Sequence, residues 1–273
     1  MKKDFFPIFR FTNSDIQYHI ITTENCHSLA QHMQENGLKR LIIISGETGI
    51  GWNESYLPDL EDFMFLEELS IHWTNIKNID GIHSCVNLKV LRLDNDDTTA
   101  IDFSHFPYIE EVVSWERQNI RSIWNVPSIK KLTLAGLNKK NFMCGEALKS
   151  IENLRIIKTS LKDISFLSDA NRISFLELLD FSKIEDLSPL RILTQLKHLR
   201  ISANKVKDFS FLKNLSNLET LYISSKIGEF SKDYFSELSK LQKVNLSGNA
   251  TIQEFNRALK YGIIKHGKNK YSN

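Results

Sequence analysis

A glycine-rich segment at residues 45–51, Ser-Gly-Glu-Thr-Gly-Ile-Gly, is the first place in this sequence whose residue types and spacing could do chemistry. A loop that cradles nucleotide phosphates has the pattern Gly-x-x-x-x-Gly-Lys-Ser/Thr, in which the lysine reaches the phosphates and the hydroxyl binds magnesium. Gly46 and Gly51 have the required spacing, but Trp52 and Asn53 stand where the lysine and the hydroxyl residue should be. We therefore predict a turn here, not a nucleotide site.

A second candidate for chemistry is the group Cys26, His27 and His32. Two helical residues that share a metal ion are three or four positions apart, and a spacing of five places the two histidines on different faces. The other cysteines, Cys85 and Cys144, are too distant for a zinc knuckle or a disulfide framework. We predict buried free thiols, no metal site and no cofactor.

The strongest pattern is an apolar repeat that returns about every 22 residues, a period at which leucine-rich repeats occur. Leu66–Ile82 and Leu196–Leu212 are its clearest copies, and Ile151–Leu167 keeps every apolar position. In such a repeat each unit is one strand, a tight turn and a return segment. The spacing therefore predicts a leucine-rich-repeat solenoid, an α/β repeat fold.

Ten strands are predicted from the first residue of each Leu-x-Leu pair. These markers are Leu41, Leu69, Leu91, Val112, Leu132, Leu154, Leu176, Leu199, Leu221 and Val244. Because side chains alternate along a strand, the residues between the buried ones form an outward face of the sheet. The Thr or Asn after the strand (Thr74, Thr159, Asn204, Asn249) is expected to hydrogen-bond the turn, and Asp-x-Ser-x-Leu (Asp163–Leu167, Asp186–Leu190, Asp208–Leu212) predicts short 3-10 or helical returns.

Three regions are predicted along the chain. Residues 1–37 form an N-terminal β-β-α cap, residues 38–252 a solenoid of about ten repeats, and residues 253–273 a capping helix with a basic tail. The cap consists of a hairpin, Phe5–Phe11 with Ile16–Ile21, and a helix over Glu24–Asn36. Thr23 and Gly37 are the predicted helix caps, Cys26, Leu29, Ala30 and Met33 its buried stripe, and Gln253–Tyr261 the C-terminal helix.

The pattern Leu-x-x-Leu-x-Leu-x-x-Asn-x-Ile-x-x-Ile-x-x-Leu over residues 38–252 resembles the internalin-type class of bacterial leucine-rich-repeat proteins. The resemblance implies a right-handed curved solenoid whose parallel sheet lines the concave side. That class includes adhesins, phosphatase regulators and toxin-neutralising proteins. The secretion signal and the wall anchor expected of a surface internalin are missing, and repeats four, five, seven and nine slip by a residue or more.

The outward face of the strands is where we predict partner binding. Its columns mix aromatic, aliphatic and charged residues, and exposed Trp, Tyr and Arg dominate many protein interfaces. Ile157 and Leu179 form an apolar strip of the kind that marks partner sites. Trp115 has an alternative role, because it could pack under the fourth repeat together with Trp124. The candidates are Trp73, Arg92, Asp94, Val113, Trp115, Arg155, Ile157, Glu177, Leu179, Arg200, Tyr222 and Asn245.

Charge is distributed unevenly along the chain, whose formal net charge is +2. Residues 1–136 carry 12 Lys+Arg and 19 Asp+Glu, whereas residues 137–273 carry 23 and 14. Such a difference is expected to steer a charged partner. A nucleic acid is not expected, because Glu177 and Asp180 interrupt the basic stripe that contains Arg155 and Arg200.

These observations predict a cytoplasmic, monomeric protein-binding module that is not an enzyme. The sequence has no Gly-x-Ser-x-Gly elbow, no long apolar stretch that would span a membrane and no secretory signal. About twenty residues follow the last repeat, too few for an added catalytic domain. We favour an immunity-type inhibitor that masks another protein; the alternatives are an internalin-like surface adhesin and a signalling scaffold or phosphatase regulator.

Overall fold

The computed structural model describes residues 6–12, 14–95, 97–115, 119–137, 145–225 and 232–248. The chain divides into two compact units, Met1–Ile129 (unit 1) and Lys130–Asn273 (unit 2). Each unit is described by itself. The predicted C-terminal helix, the basic tail, Cys144 and Asn249 lie outside the described residues.

Six strands and one α-helix are found among the described residues of unit 1. The elements are β1 (Ile8–Arg10), β2 (Gln17–Ile20), α1 (Cys26–Glu35), β3 (Arg40–Ile44), β4 (Glu68–His72), β5 (Val90–Asp94) and β6 (Glu111–Ser114). The strands β1 and β2 pair antiparallel, as their alternation predicted, and β2 to β6 are parallel neighbours. The register places Leu41 beside Leu69, Leu69 beside Leu91 and Leu91 beside Val112, and all four are fully buried.

Unit 2 repeats the parallel arrangement. Its elements are β7 (Lys131–Ala135), α2 (Ala147–Ser150), β8 (Asn153–Ile157), β9 (Phe175–Leu179), β10 (His198–Ser202), β11 (Thr220–Ser225) and β12 (Lys243–Gly248). The marker residues again stand side by side in register, from Leu132 on β7 to Val244 on β12. All ten predicted strands are therefore confirmed, together with their parallel pairing.

The return segments are short 3-10 turns, as the Asp-x-Ser pattern predicted. In unit 2 they span Ser165–Asp169, Ser188–Ile192 and Ser210–Asn214. Each begins where the preceding Asp accepts two hydrogen bonds from the Ser, one from its backbone N–H at 2.7–2.8 Å and one from its hydroxyl at 2.8–3.0 Å. These bonds satisfy a backbone donor that the turn would otherwise leave unpaired.

The predicted hydrogen bonds of the residue after the strand are present in one repeat and absent in another. The Thr159 hydroxyl donates to the Leu137 carbonyl at 2.6 Å and accepts from the Leu161 N–H at 3.1 Å, as expected. The prediction was wrong for Thr74, whose buried hydroxyl has no hydrogen-bond partner.

Helix α1 begins later and ends one residue earlier than predicted, with Asn36 in place of Gly37 as its C-cap. Its N-cap is Asn25, not Thr23, because Asn25 is held in a local loop where its Oδ1 accepts from the Thr22 N–H at 2.8 Å. At the other end Gly37 has φ +64°, and the N–H groups of Gly37 and Leu38 donate to the last free carbonyls of the helix. Leu29, Ala30 and Met33 are buried as expected, whereas Cys26 is only half-buried.

Replacing Gly37 with Ala should destabilise unit 1 by about 1 kcal/mol, because a residue with a Cβ is strained in the left-handed conformation. A Cβ at Gly37 would meet nothing within 4 Å, so the cost is purely conformational. Urea unfolding measures it. Gln34→Ala, at an exposed helical position, is the control and should change the unfolding free energy by less than about 0.5 kcal/mol; equal values for the two variants contradict the assignment.

Candidate functional site

The outward face of unit 1 is partly covered by the N-terminal hairpin. Tyr18 and Ile20 on β2 pack against Ile42, which is 0% exposed, and Phe9 and Phe11 add to the same apolar cluster. The Phe11 ring also meets His72 edge-to-face at 5.4 Å between centroids. The outward positions of the first two repeats are therefore closed to a partner.

Arg92, predicted to bind a partner, is bound within unit 1. Its Nη2 donates to Glu111 Oε1 at 2.7 Å, and its Nη1 donates to the Tyr18 hydroxyl at 3.1 Å. That hydroxyl donates in turn to Glu68 at 2.9 Å, and Glu68 also accepts from Arg40 Nε at 2.8 Å. Burial, reinforced by Glu68, raises the pKa of Tyr18 to about 12. The arginines of this face are therefore neutralised by its glutamates.

The remaining candidates of unit 1 lie at the ends of its strands. Trp73 is 66% exposed and has φ +51°, a left-handed conformation, with its N–H donating to the Asp94 carbonyl at 2.9 Å. Trp115 is 37% exposed, whereas Trp124 is fully buried. The alternative that Trp115 packs under the fourth repeat with Trp124 is therefore wrong. Val113 and Asp94 are half-buried.

A cleft on the outward face of unit 2 brings five of the predicted residues together. It has a volume of about 330 Å³. Predicted residues in its lining are Ile157, Leu179, Arg200, Tyr222 and Asn245. Asp180, Ser202 and Ser224 lie at its polar parts, and Asp180 follows β9 with φ +58°. The cleft therefore combines an apolar strip, one aromatic ring and one cation.

Glu177 lies beside this cleft and is buried. It is 5% exposed, and its carboxylate accepts a hydrogen bond from Arg155 Nε. His198 Nε2 lies 3.6 Å and the guanidinium Nη1 of Arg200 3.9 Å from the same carboxylate. Burial by itself raises the pKa of Glu177, but His198, Arg155 and Arg200 outweigh it, so the pKa is lowered. Of the two carboxylates expected to interrupt the basic stripe, Glu177 is therefore buried, whereas Asp180 is exposed.

Phe175 and His198, which sequence reasoning missed, lie on the outward face of unit 2 together with Lys243, a residue of the predicted basic stripe. The Phe175 and His198 rings stack at 4.2 Å with an interplanar angle of 4°, and His198 lies 5.7 Å from Tyr222. Lys243 Nζ lies over the Tyr222 ring, 5.2 Å from its centroid, a cation–π geometry. All three occupy the strand position just before the leucine marker. The alternation of side chains would have revealed this third outward column.

The residues suspected of enzyme-like chemistry have structural roles. The turn at Gly46–Thr48 is followed by Gly51, where a Cβ would lie 2.4 Å from the Ile44 carbonyl oxygen, so this glycine allows a close backbone approach. Cys85 is a buried free thiol whose pKa is raised to about 12 by burial. Within the described parts of the chain, no three His, Cys, Asp or Glu side chains are grouped to hold a metal ion, and no helix is long and apolar enough to cross a membrane.

Comparison with known proteins agrees with this geometry. A family model described as "Leucine Rich repeats (2 copies)" matches residues 194–232. These residues contain β10 and β11, two of the strands that line the cleft. The chain has a leucine-rich-repeat fold. This fold serves as a module for protein–protein interaction in the proteins that share it.

Two solved structures show the same fold in other organisms. An internalin from Listeria monocytogenes is 18% identical with a TM-score of 0.51, over 70% of this chain and 65% of its own. A chain of the Toll–Spatzle complex from Drosophila is 18% identical with a TM-score of 0.56, over 81% of this chain and 32% of its own. This chain therefore spans about two thirds and one third of their lengths. The predicted resemblance to internalin-type repeats is confirmed for the fold.

Replacing Glu177 with Gln should lower the unfolding free energy at neutral pH by about 1 to 3 kcal/mol, because the charged acceptor of the Arg155 hydrogen bond, which also faces Arg200, is lost. The pKa of Glu177 is lower in the folded chain than the ordinary glutamate value of 4.5. Its contribution is therefore complete above that value and disappears as pH falls below it. Denaturant unfolding of both proteins from neutral to acidic pH should show the difference shrinking in acid.

The control for this experiment is Glu152→Gln, at an exposed carboxylate in the same unit. It should change the unfolding free energy by less than about 0.5 kcal/mol. A Glu177→Gln variant that is as stable as the wild type at neutral pH would show that the ion cluster does not stabilise unit 2.

Proposed function

We propose that this chain is a non-catalytic protein-binding module that grips its partner through the outward face of unit 2. The observation that carries the proposal is the cleft in which Ile157, Leu179, Arg200, Tyr222 and Asn245 converge. Binding hot spots combine an aromatic or arginine anchor with a surrounding apolar surface, and this cleft offers both.

The contrast with unit 1 supports this choice of face. There the hairpin covers Ile42, and Arg92 is engaged by Glu111 and Tyr18. A partner would have to displace these contacts before it could bind. In unit 2 the Arg200 side chain is 54% exposed and Asn245 is exposed, so a partner can reach them without such rearrangement.

Within this function we propose an inhibitor of the immunity type, acting in the cytoplasm as a monomer by occupying a surface of another protein. A second candidate is an internalin-like surface adhesin, which the likeness to the Listeria internalin favours. Fractionation of the native cells separates the two. An inhibitor is found in the cytoplasm and is required only when its target is made, whereas an adhesin is found outside the cell.

Photo-cross-linking in the native cell tests the proposed face. We place p-benzoylphenylalanine at position 222 in one variant and at position 213 in another, because Lys213 is exposed on the return segment Ser210–Asn214. We expect a discrete protein adduct from position 222 and none from position 213. Adducts from position 213 alone would show that binding uses the return side and would overturn the proposal.

Arg200→Ala combined with Tyr222→Ala should weaken partner binding by about tenfold or more, because both anchors of the cleft are removed. The melting temperature should change little, since Arg200 is exposed and Tyr222 only half-buried. The affinity is measured by titration with the partner that cross-linking identifies, and the melting temperature by thermal unfolding. Lys162→Ala with Lys213→Ala is the control at exposed positions; equal loss of binding in both variants contradicts the cleft.

A further inference from the structure

Most of the charged residues at the outward strand positions of unit 2 are cations. Lys131, Arg155, Arg200 and Lys243 occupy these positions on β7, β8, β10 and β12. Among the described strand residues of this face the carboxylate is Glu177, and it is buried. The charge that a partner meets on these strands is therefore positive.

The cations have a spacing that suits an extended polypeptide. Arg155 on β8 and Arg200 on β10 are separated by one intervening strand, β9. Two strand spacings amount to about 10 Å. An extended chain in the polyproline II conformation has three residues per turn and advances about 3.1 Å per residue, so acidic side chains three residues apart lie on one side of it, about 9 Å apart, and reach both arginines.

One outward position further along the strands than these cations, the face is apolar. Ile157 and Leu179 lie beside each other in register on β8 and β9, and both line the cleft. Neither is fully buried, so an apolar partner side chain placed here would remove both from water. Asp180 lies at the rim and disfavours an unbroken run of carboxylates at this end.

We propose that the segment bound in the cleft is an extended stretch of a protein partner in which acidic residues three apart flank an apolar residue. This proposal rests on the proposed function and adds the chemistry of the partner. Arg155 and Arg200 pair with the carboxylates, and the apolar side chain enters between Ile157 and Leu179. Glu177, which is buried, holds the two arginine side chains in position.

Single-stranded nucleic acid matches this face less well than an acidic polypeptide does. Bases bind by stacking on open aromatic faces. Phe175 is instead stacked on His198, and Lys243 lies over Tyr222. The apolar strip of Ile157 and Leu179 likewise offers a phosphate backbone no partner.

Fluorescence anisotropy with labelled peptides tests this chemistry on the full chain. The probe has the pattern Glu-Leu-Ser-Glu-Leu-Ser-Glu, and comparison peptides replace every Glu by Lys or every Leu by Ser. We expect the first peptide to bind at least about tenfold more tightly than either of the others, because only it satisfies both charge and apolar contacts. Oligodeoxythymidylate is titrated in parallel.

Two charge-matched variants locate the binding. R155E/R200E should weaken binding of the Glu-Leu peptide by about tenfold or more, whereas K162E/K213E, with the same change in net charge, should weaken it by less than about twofold. Lys162 and Lys213 are exposed and lie off the outward face. Circular dichroism confirms that both variants are folded.

The remaining outcomes would contradict the proposal. Equal binding of the Lys peptide overturns the charge argument, and equal or tighter binding of oligodeoxythymidylate assigns the face to nucleic acid. Failure of the Glu-Leu peptide to bind, while position 222 still cross-links to a protein, overturns the acidic chemistry and leaves the proposed function intact. Failure of both removes the proposed function as well.

Discussion

Burial of the apolar column formed by the leucine markers, one from each strand, is the constraint on which the rest of each unit depends. A parallel strand that buries Leu at one position directs the next side chain to the other face of the sheet, because successive side chains alternate. A slip of one residue would turn every leucine outward, so the register from Leu132 to Val244 is strongly specified. The outward positions are thereby released from the core and available for binding.

The two units use those released positions differently. In unit 1 they form the apolar cluster around Ile42 and a set of hydrogen bonds and ion pairs among Tyr18, Glu68 and Arg92. In the described part of unit 2 the buried carboxylate of Glu177 lies beside Arg155 and Arg200, whose side chains reach the surface. A buried charge is tolerated only when it is paired and hydrogen-bonded. Glu177 therefore holds its arginines in place while leaving the face positively charged.

Much of the fold could be predicted because the repeat is a local signal. Each strand is marked by its own Leu-x-Leu pair, and Asp163 and Ser165 predict their own turn. The packing of the N-terminal hairpin against Ile42 could not be predicted, since it depends on contacts between segments that are distant in the sequence. The left-handed Trp73 has no local signal either, because Gly or Asn is expected in that conformation.

The candidate site was predictable in part. Arg155, Glu177 and Arg200 are about one repeat apart, so their adjacency follows from the period, but the burial of Glu177 does not. That burial arises from the combined packing of neighbouring side chains. It reversed the expected role of the residue, from a surface charge to the centre of a cluster.

A crystal structure of the chain bound to the partner captured at position 222 tests the central claim most directly. The account predicts partner carboxylates within hydrogen-bond distance of Arg155 and Arg200, with an apolar side chain between Ile157 and Leu179. A partner seated on the return segments, or one that contacts the outward face without any acidic group near those arginines, would contradict it.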